Sequence, residues 1–195
     1  VEGGSRMKEL SPTAAKIADL AESYIQSRGF NGFSFRDIQN ELGIKTASIH
    51  YHFKTKQDLA ETVFERYLAN YELVLIQIDS QSSNAEEKIA ALADLFIGVR
   101  EQDKLCLCGM YASDFYSLAD GLEGLLSGFV QTNEQWLQKI IDQGVDSGEF
   151  DLPMDSSQAA RLIFVALEGS MLLSQFKDAD YIRSVKASCL ALLKR

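Results

Sequence analysis

Apolar residues recur with the period of an α-helix along most of the chain, and no stretch alternates as a β-strand would. Two prolines, at positions 12 and 153, leave long helices uninterrupted. The pattern predicts an all-α fold with a three-helix N-terminal head and a six-helix body. The predicted helices cover 12–29, the stretch between Ser34 and Gly43, 45–53, 56–78, 85–100, a short stretch up to 117, 121–144, 156–176 and 180–193.

The stretch 33–59 has the pattern of a helix-turn-helix. Ser34 is a suitable N-cap for the first short helix, and Gly43 can adopt the left-handed conformation that ends it. Ile49 is the expected inward anchor of the second helix, over 45–53. Two short helices joined by a tight glycine-containing turn predict a motif whose second helix enters a major groove.

Nine residues of this motif are candidates for DNA contacts, because they are cationic, small or able to form hydrogen bonds. Ser34, Arg36 and Lys56 are expected to hold phosphates, and the remaining six lie on or beside the second helix. For each residue, an exposed or packing role is the alternative. The candidates are Ser34, Arg36, Lys45, Thr46, Ala47, Ser48, His50, Tyr51 and Lys56.

The run 43–53, GIKTASIHYHF, followed by Lys56 and Leu59, resembles the recognition helix of the TetR family of bacterial transcriptional repressors. A Tyr-His-Phe run with a lysine three residues later is far rarer than a generic helix-turn-helix pattern. Gln39 departs from the family, which usually has Ala at this position. Gln39 is therefore expected to lie at the edge of the helix pair, or the pair to be slightly splayed.

The resemblance implies a DNA-binding domain over residues 7–56 and an effector-binding and dimerisation domain over 57–195. It implies a repressor that binds a near-palindromic operator as a homodimer and is released by a small effector. Residues 1–6 are expected to be a scar left by recombinant expression.

Charge is distributed unevenly along the chain. Residues 1–56 carry eight Lys or Arg and six Asp or Glu, whereas residues 57–195 carry eleven and twenty-two, and the formal net charge is −9. An acidic protein can still bind DNA, because affinity depends on a local cationic footprint. The acidic body is expected to stay clear of the phosphates.

Aromatic and sulfur-containing side chains of the predicted body could line a cavity or fill a core. Because few charges lie on the inward stripes of the helices, an apolar or aromatic effector is expected. The candidate ligand residues are Phe64, Tyr67, Tyr71, Phe96, Cys106, Met110, Phe115 and Trp136.

The stretch 162–167 has no polar face, so a helix there must be covered on both sides. One cover can be the protein's own core, and the other is expected to be a second copy of the chain. The candidate dimer residues are Leu162, Ile163, Leu167, Met171, Ile182, Val185 and Leu192.

Cys106 and Cys108 leave a second function open. They are either small buried residues or reactive thiols of a redox or electrophile sensor, with Lys104 as the nearby cation. A rival of another class is a helical small-molecule-binding or enzymatic body whose head mediates protein contact. Binding to DNA that weakens steeply with salt would separate these classes.

No catalytic set is recognisable, so the chain is predicted not to be an enzyme and to need no cofactor. His50 and His52 point apart on a helix, and no metal is expected there. No run approaches the roughly 18 apolar residues of a membrane span, and the start of the chain lacks the apolar core of a signal peptide. Three cysteines without a framework of spacings suggest a reducing compartment, and the expected location is the cytoplasm, with no membrane partner.

Overall fold

The computed structural model describes residues 10–118, 121–177 and 180–194. Within these ranges the fold has nine α-helices, three short 3₁₀ turns and a single isolated bridge between Asp151 and Lys194. The helices are α1 Pro12–Arg28, α2 Phe35–Leu42, α3 Thr46–His52, α4 Lys56–Gln81, α5 Ala85–Glu101, α6 Leu107–Ser113, α7 Gly121–Asp146, α8 Ser156–Leu173 and α9 Asp180–Leu192.

The all-α prediction is confirmed, as is the division into three head helices and six body helices within the described residues. Helix ends differ from the prediction by a few residues. The short helix before 117 ends at Ser113 and continues as a 3₁₀ turn over Phe115–Ser117. The proposed expression scar, residues 1–6, lies outside the described ranges.

Capping residues account for where the head helices begin and end. Ser11 caps α1 by accepting a hydrogen bond from the Ala14 N–H at 3.2 Å. Gly29, at φ +80°, ends α1 and donates its N–H to the Ile25 carbonyl at 2.9 Å. Gly43, at φ +64° and ψ 27°, closes α2 in the left-handed conformation, as the sequence predicts.

The head is a small three-helix unit around four fully buried isoleucines, Ile17, Ile25, Ile38 and Ile49. Gln39 is half-buried at the edge of the α2–α3 pair, where its Oε1 accepts a hydrogen bond from the Thr46 hydroxyl. The expectation that Gln39 lies at the edge is thus confirmed. The glutamine joins the two helices by a hydrogen bond across their contact.

A cluster of aromatic rings on α4, α6 and α7 fills the part of the core nearest the head. Phe64 meets Tyr111 edge-on with 5.2 Å between ring centroids, and Phe129 lies 4.9 Å from Tyr71. The buried core runs without interruption from the head into the body. Because α4 contributes residues to both parts, it connects the head to the body as one continuous helix.

The segment 105–117, which contains α6, holds the head through hydrogen bonds. The carboxylate of Asp114 accepts the Phe30 N–H at 2.7 Å and the Asn31 side-chain amide at 3.1 Å. The Leu105 N–H donates to the Gln26 carbonyl at 3.0 Å, and the Asn31 side-chain amide also donates to the Ser117 hydroxyl at 3.1 Å. Both ends of this segment are therefore attached to the head.

Helix α8 packs against α5, α7 and α9 and keeps an apolar outer stripe. Five side chains form this α8 stripe, and Val165 and Phe176 are 58% and 82% exposed. By length and composition alone, 156–176 could cross a membrane, with a mean hydropathy of 1.3, although 44% of that window is buried, as in a core helix. The α8 stripe consists of Leu162, Val165, Leu172 and Leu173 on the helix and of Phe176 on the 3₁₀ turn that follows it.

The predicted dimer residues are mostly on the wrong side of their helices. Leu162 is exposed, and Val185 and Leu192 are partly buried. The others are buried within the chain itself and cannot meet a partner in this conformation. For α8 the reason is that the run 162–167 has no polar face, so its sequence does not identify the inner face. The residues that were predicted to contact a second copy and are instead buried within the chain are Ile163, Leu167, Met171 and Ile182.

Candidate DNA-reading surface and effector cavity

Helix α3 presents one face to solvent and is anchored on the other by Ile49. Ala47 and Tyr51 lie opposite this anchor, and Tyr51 is 77% exposed. Lys45 precedes the helix as its N-cap residue and is exposed. Ser48 is half-buried at the flank of this face. The exposed surface fits the predicted recognition helix.

Several of the predicted DNA residues already have partners within the head. The Ser34 hydroxyl donates to Asp37 at 2.6 Å, and this bond lowers the pKa of Asp37. Thr46 is bonded to Gln39, as described above. His50 lies with Nδ1 3.3 Å from the Lys54 carbonyl, and its ring is 5.1 Å from that of Phe35. Arg36 is exposed.

Lys56 is not the free cation that the sequence indicates. Its ammonium donates to the carbonyls of Phe30 and Phe33 and lies 4.5 and 4.2 Å from the centroids of their rings. Burial lowers the pKa of Lys56, although the charges of Asp114 and Asp37 act in the opposite direction. Lys56 therefore holds the turn between α1 and α2 in place. A phosphate contact would have to use its third N–H.

A cavity of about 240 Å³ lies in the body. Four of the predicted ligand residues line it, namely Tyr67, Tyr71, Phe96 and Cys106. Six further lining residues were missed, and one of them, Glu22, belongs to the head helix α1. The missed residues are Glu22, Asn70, Val74, Leu95, Val99 and Met171.

The other four predicted ligand residues do not line this cavity. Phe64 is fully buried in the aromatic cluster, and Trp136 is partly buried against the core. Phe115 is exposed on the 3₁₀ turn after α6, and Met110 packs near Gly29. Their positions follow from how the helices rotate against one another, which helical periodicity alone does not specify. Met171, predicted to contact a second subunit, lines the cavity instead.

The inner wall of the cavity carries polar atoms among its apolar surface. The Tyr71 hydroxyl donates to the buried amide oxygen of Asn133 at 2.5 Å. The Tyr67 hydroxyl lies 3.8 Å from the Cys106 sulfur. Burial is the main cause that raises the pKa of both tyrosines well above the ordinary value. Both phenols are therefore neutral hydrogen-bonding groups.

Behind Cys106 lies a buried carboxyl group that the sequence analysis did not select. Burial raises the pKa of Glu168 to about 7, although a hydrogen bond with Cys106 acts in the opposite direction. The Oε1 atom of Glu168 is buried without a hydrogen-bond partner among the described residues. Its signal in the sequence is a single acidic residue directly after the apolar run 162–167.

The environment of the two cysteines argues against a reactive thiol. Burial, and then the nearby charge of Glu168, raise the pKa of Cys106 and of Cys108. A sensor thiol needs the opposite, an exposed site with a lowered pKa. Lys104 acts on the pKa of Glu22 rather than on either thiol. In the described part of the chain, no group of three or more His, Cys, Asp or Glu could hold a metal ion.

The exposed recognition helix, the head it belongs to and the cavity in the attached body define a DNA-binding transcriptional regulator. Residues 17–63 match the family model described as bacterial regulatory proteins of the tetR family. The solved structure of a TetR transcriptional regulator from Legionella pneumophila is 33% identical, with a TM-score of 0.83, over 96% of this chain and 100% of that chain. The chain belongs to the TetR family of bacterial transcriptional regulators.

Two curated relatives are similar over nearly the whole chain. The fatty acid metabolism regulator protein of Bacillus subtilis is 22% identical over 192 residues, which cover 96% of each chain. A negative transcriptional regulator of a biofilm operon from Staphylococcus aureus is 24% identical over 183 residues, covering 85% of this chain and 94% of the relative. Both relatives are named as regulators, and the one from Staphylococcus aureus as a transcriptional regulator.

Replacing Lys56 with Ala is expected to lower the free energy of unfolding by about 1–3 kcal/mol, because two carbonyls lose a charged donor. The measurement is urea unfolding, with Lys54→Ala, which removes an exposed lysine of the same segment, as the matched control. Unchanged stability together with weaker binding to every DNA sequence would instead identify Lys56 as a free phosphate contact.

Replacing Glu168 with Gln is expected to stabilise the protein at pH 8 and to have little effect at pH 5. The pKa of Glu168 in the folded protein is about 7 and exceeds the ordinary value of 4.5, so the folded state binds a proton more tightly than the unfolded state does. The free energy of unfolding of the unmodified protein must therefore fall as pH rises between these two values. Above them, the protein bears the full cost of an ionised buried carboxylate. A shift of this size corresponds to at most roughly 3 kcal/mol.

The measurement for Glu168→Gln is chemical unfolding at both pH values. Glu123→Gln, which changes an exposed carboxyl on α7, is the control and should show no such dependence. An equal effect of Glu168→Gln at pH 5 and pH 8 contradicts the assignment of a raised pKa to this group.

Proposed function

We propose that the protein is a ligand-responsive repressor that binds a near-palindromic operator as a homodimer and releases it when a small effector enters the body. The observation that carries this proposal is that Glu22, on a helix of the DNA-binding head, forms part of the cavity wall. A molecule in the cavity therefore touches the head directly. Its binding can bias the position of the head without any intermediate element.

On the DNA side, residues 7–56 act as the reading unit and 57–195 as the effector-binding and dimerisation unit. Lys45, Ala47 and Tyr51 lie on the exposed side of the recognition helix, where base edges would be reached. Arg36 lies on α2 and supplies a charge for a phosphate. The net positive charge of the head, beside an acidic body, supports binding through the head alone.

On the dimer side, the α8 stripe supports a second copy as its cover. A contiguous row of exposed apolar side chains on one helix marks an interaction surface, and a two-fold axis lets the same row cover itself. Two recognition helices would then face successive major grooves of one operator. The near-palindrome of the operator would reflect this symmetry.

Beside the direct contact at Glu22, the segment 105–117 provides a second connection between effector and head. Cys106 lines the cavity, and α6 begins at the next residue. At the other end of this segment, Asp114 is bonded to the Phe30 N–H of the head. An effector that displaces Cys106 would shift α6 and pull on the turn after α1. The coupling can be only as large as the effector's preference between the two conformations.

The effector is a small molecule with substantial apolar or aromatic character. Val74, Leu95 and Val99 form apolar walls of the cavity, and Phe96 adds an aromatic one. The relative from Staphylococcus aureus is a negative regulator, which supports repression as the mode of action. As a regulator of transcription, the protein acts in the cytoplasm. Its action requires operator binding and release, and no enzymatic activity.

Replacing Val165 with Glu is expected to convert the dimer into monomers, because a charge in the middle of an apolar interface is left unpaired. Sedimentation at micromolar concentration measures the change, and operator affinity should fall in parallel. Leu73→Glu, at an exposed apolar position on α4, is the matched control and should remain dimeric. A stable monomer of the unmodified protein contradicts the proposal.

Replacing Asp114 with Ala is expected to separate effector binding from operator release, since the bond to Phe30 is lost. Thermal shift across a panel of hydrophobic compounds identifies an effector, which should lower operator affinity of the unmodified protein roughly 5–150-fold. In the Asp114 variant the thermal shift should remain while the loss of affinity becomes much smaller. The control is Ser113→Ala, on the same turn.

Binding to an operator fragment at increasing salt tests the DNA side, because phosphate contacts release counterions and weaken steeply with salt. If a tight effector leaves the operator affinity of the unmodified protein unchanged, the proposed release by ligand is wrong, whatever the behaviour of the Asp114 variant.

A further inference from the structure

The polar groups that line the cavity are acidic or neutral. Its polar lining groups are the carboxylate of Glu22, the amide of Asn70, two phenols and one thiol. None of the ten residues that line this cavity is Lys, Arg or His. A ligand that enters therefore finds hydrogen-bond acceptors and a negative charge, and no lining cation with which an acidic group could pair.

Glu22 is a carboxylate whose charge is incompletely compensated. Burial is the largest influence on it and raises its pKa, outweighing the opposite effects of Arg66 and Lys104. Arg66 binds Asp19, with 2.7 Å between Nη2 and Oδ1, and its buried Nη1 has no hydrogen-bond partner among the described residues. Neither Arg66 nor Lys104 belongs to the cavity wall. A positive charge placed inside the cavity beside Glu22 would relieve this desolvation.

A second carboxyl group lies behind Cys106, outside the lining of the cavity. Glu168 is hydrogen-bonded to Cys106, which lines the cavity, and no charged side chain is among the groups that shift the pKa of Glu168. Its buried Oε1 has no hydrogen-bond partner in the described part of the chain. The cavity thus has one carboxyl group in its wall and a second one in contact with a lining residue.

Two tyrosine rings complete an environment suited to a cation. Tyr67 and Tyr71 both line the cavity, and their rings stack with centroids 6.1 Å apart and an angle of 18° between planes. The faces of aromatic rings attract ammonium groups, most strongly where water is excluded. The apolar walls accept the remainder of such a molecule.

Resting on the proposed function, we infer that the effector is a small amphipathic amine whose ammonium group pairs with Glu22 beside the rings of Tyr67 and Tyr71. Its aryl or alkyl part packs against Val74, Leu95 and the adjacent apolar wall. The volume of about 240 Å³ limits its size, since it lies below the roughly 300 Å³ at which pockets for drug-sized ligands begin. A carboxylic acid of the same shape is disfavoured, because two like charges would meet at Glu22.

Three probes of nearly equal shape separate charge from apolar contact: 4-phenylbutylamine, 4-phenylbutanol and 4-phenylbutyrate. Titration calorimetry on the full chain measures their affinities at neutral pH. The amine should bind at least about tenfold more tightly than the alcohol, since a buried ion pair adds to the common apolar contact. The butyrate should bind most weakly.

The variant that tests the residue is Glu22→Gln, which keeps the size of the side chain and removes its charge. It should abolish the preference for the amine over the alcohol while leaving the affinity for the alcohol nearly unchanged. Glu65→Gln, which alters an exposed carboxyl on α4 outside the cavity wall, is the matched control and should keep the preference. The preference should also decline on acidification, because a protonated Glu22 cannot pair with an ammonium.

Several outcomes overturn the inference. These are equal or tighter binding of the alcohol or the butyrate, failure of all three probes to bind at millimolar concentration, and a preference that survives in Glu22→Gln. Measuring operator release separates failure of the inferred cationic effector from failure of the proposed ligand-responsive repressor. If the alcohol binds best and still releases the operator, the ligand-responsive repressor stands and only the cationic effector is wrong.

Discussion

The hydrogen bond from the Phe30 N–H to the Asp114 carboxylate is the contact on which the arrangement of head and body depends. It is possible because Gly29 has no side chain, as a Cβ there would lie 2.9 Å from the Asp114 Oδ2 atom. The same glycine ends α1 at a positive φ angle. Gly29 thus ends a head helix and leaves room for Asp114 at the turn that follows. Because Asp114 comes directly after α6, a movement of α6 would change this contact with the head.

Burial of carboxyl groups accounts for much of the chemistry of the body. Burial of the thiols, and then the charge of Glu168, raise the pKa of Cys106 and Cys108, which keeps both thiols protonated and argues against a thiol sensor. The same group, with Glu22 at the cavity wall, makes the interior favourable for positive charge. Burial of titratable groups therefore both disfavours the thiol function and supports the inferred cationic effector.

Helix α8 serves two surfaces at once. Its inner residues complete the core, and Met171 reaches the cavity, while its outer stripe remains apolar and exposed. If the outer stripe is the dimer contact proposed above, a helix with these two faces can transmit a change at the cavity to that contact. Its apolar composition gives it the hydropathy of a membrane segment, although in this fold almost half of it is covered by other helices.

The sequence by itself determined the all-α fold, the helix-turn-helix and the family, because periodicity, capping residues and the run 43–53 are local signals. It did not determine which side of α8 faces inward, since an all-apolar helix carries no contrast between faces. Nor did it reveal that Lys56 turns back onto two carbonyls, that Glu22 lines a cavity, or that Glu168 lies against the lining residue Cys106. Those residues are distant in sequence, and only helix packing brings α1, α4, α6 and α8 together, which decides where each charge is desolvated.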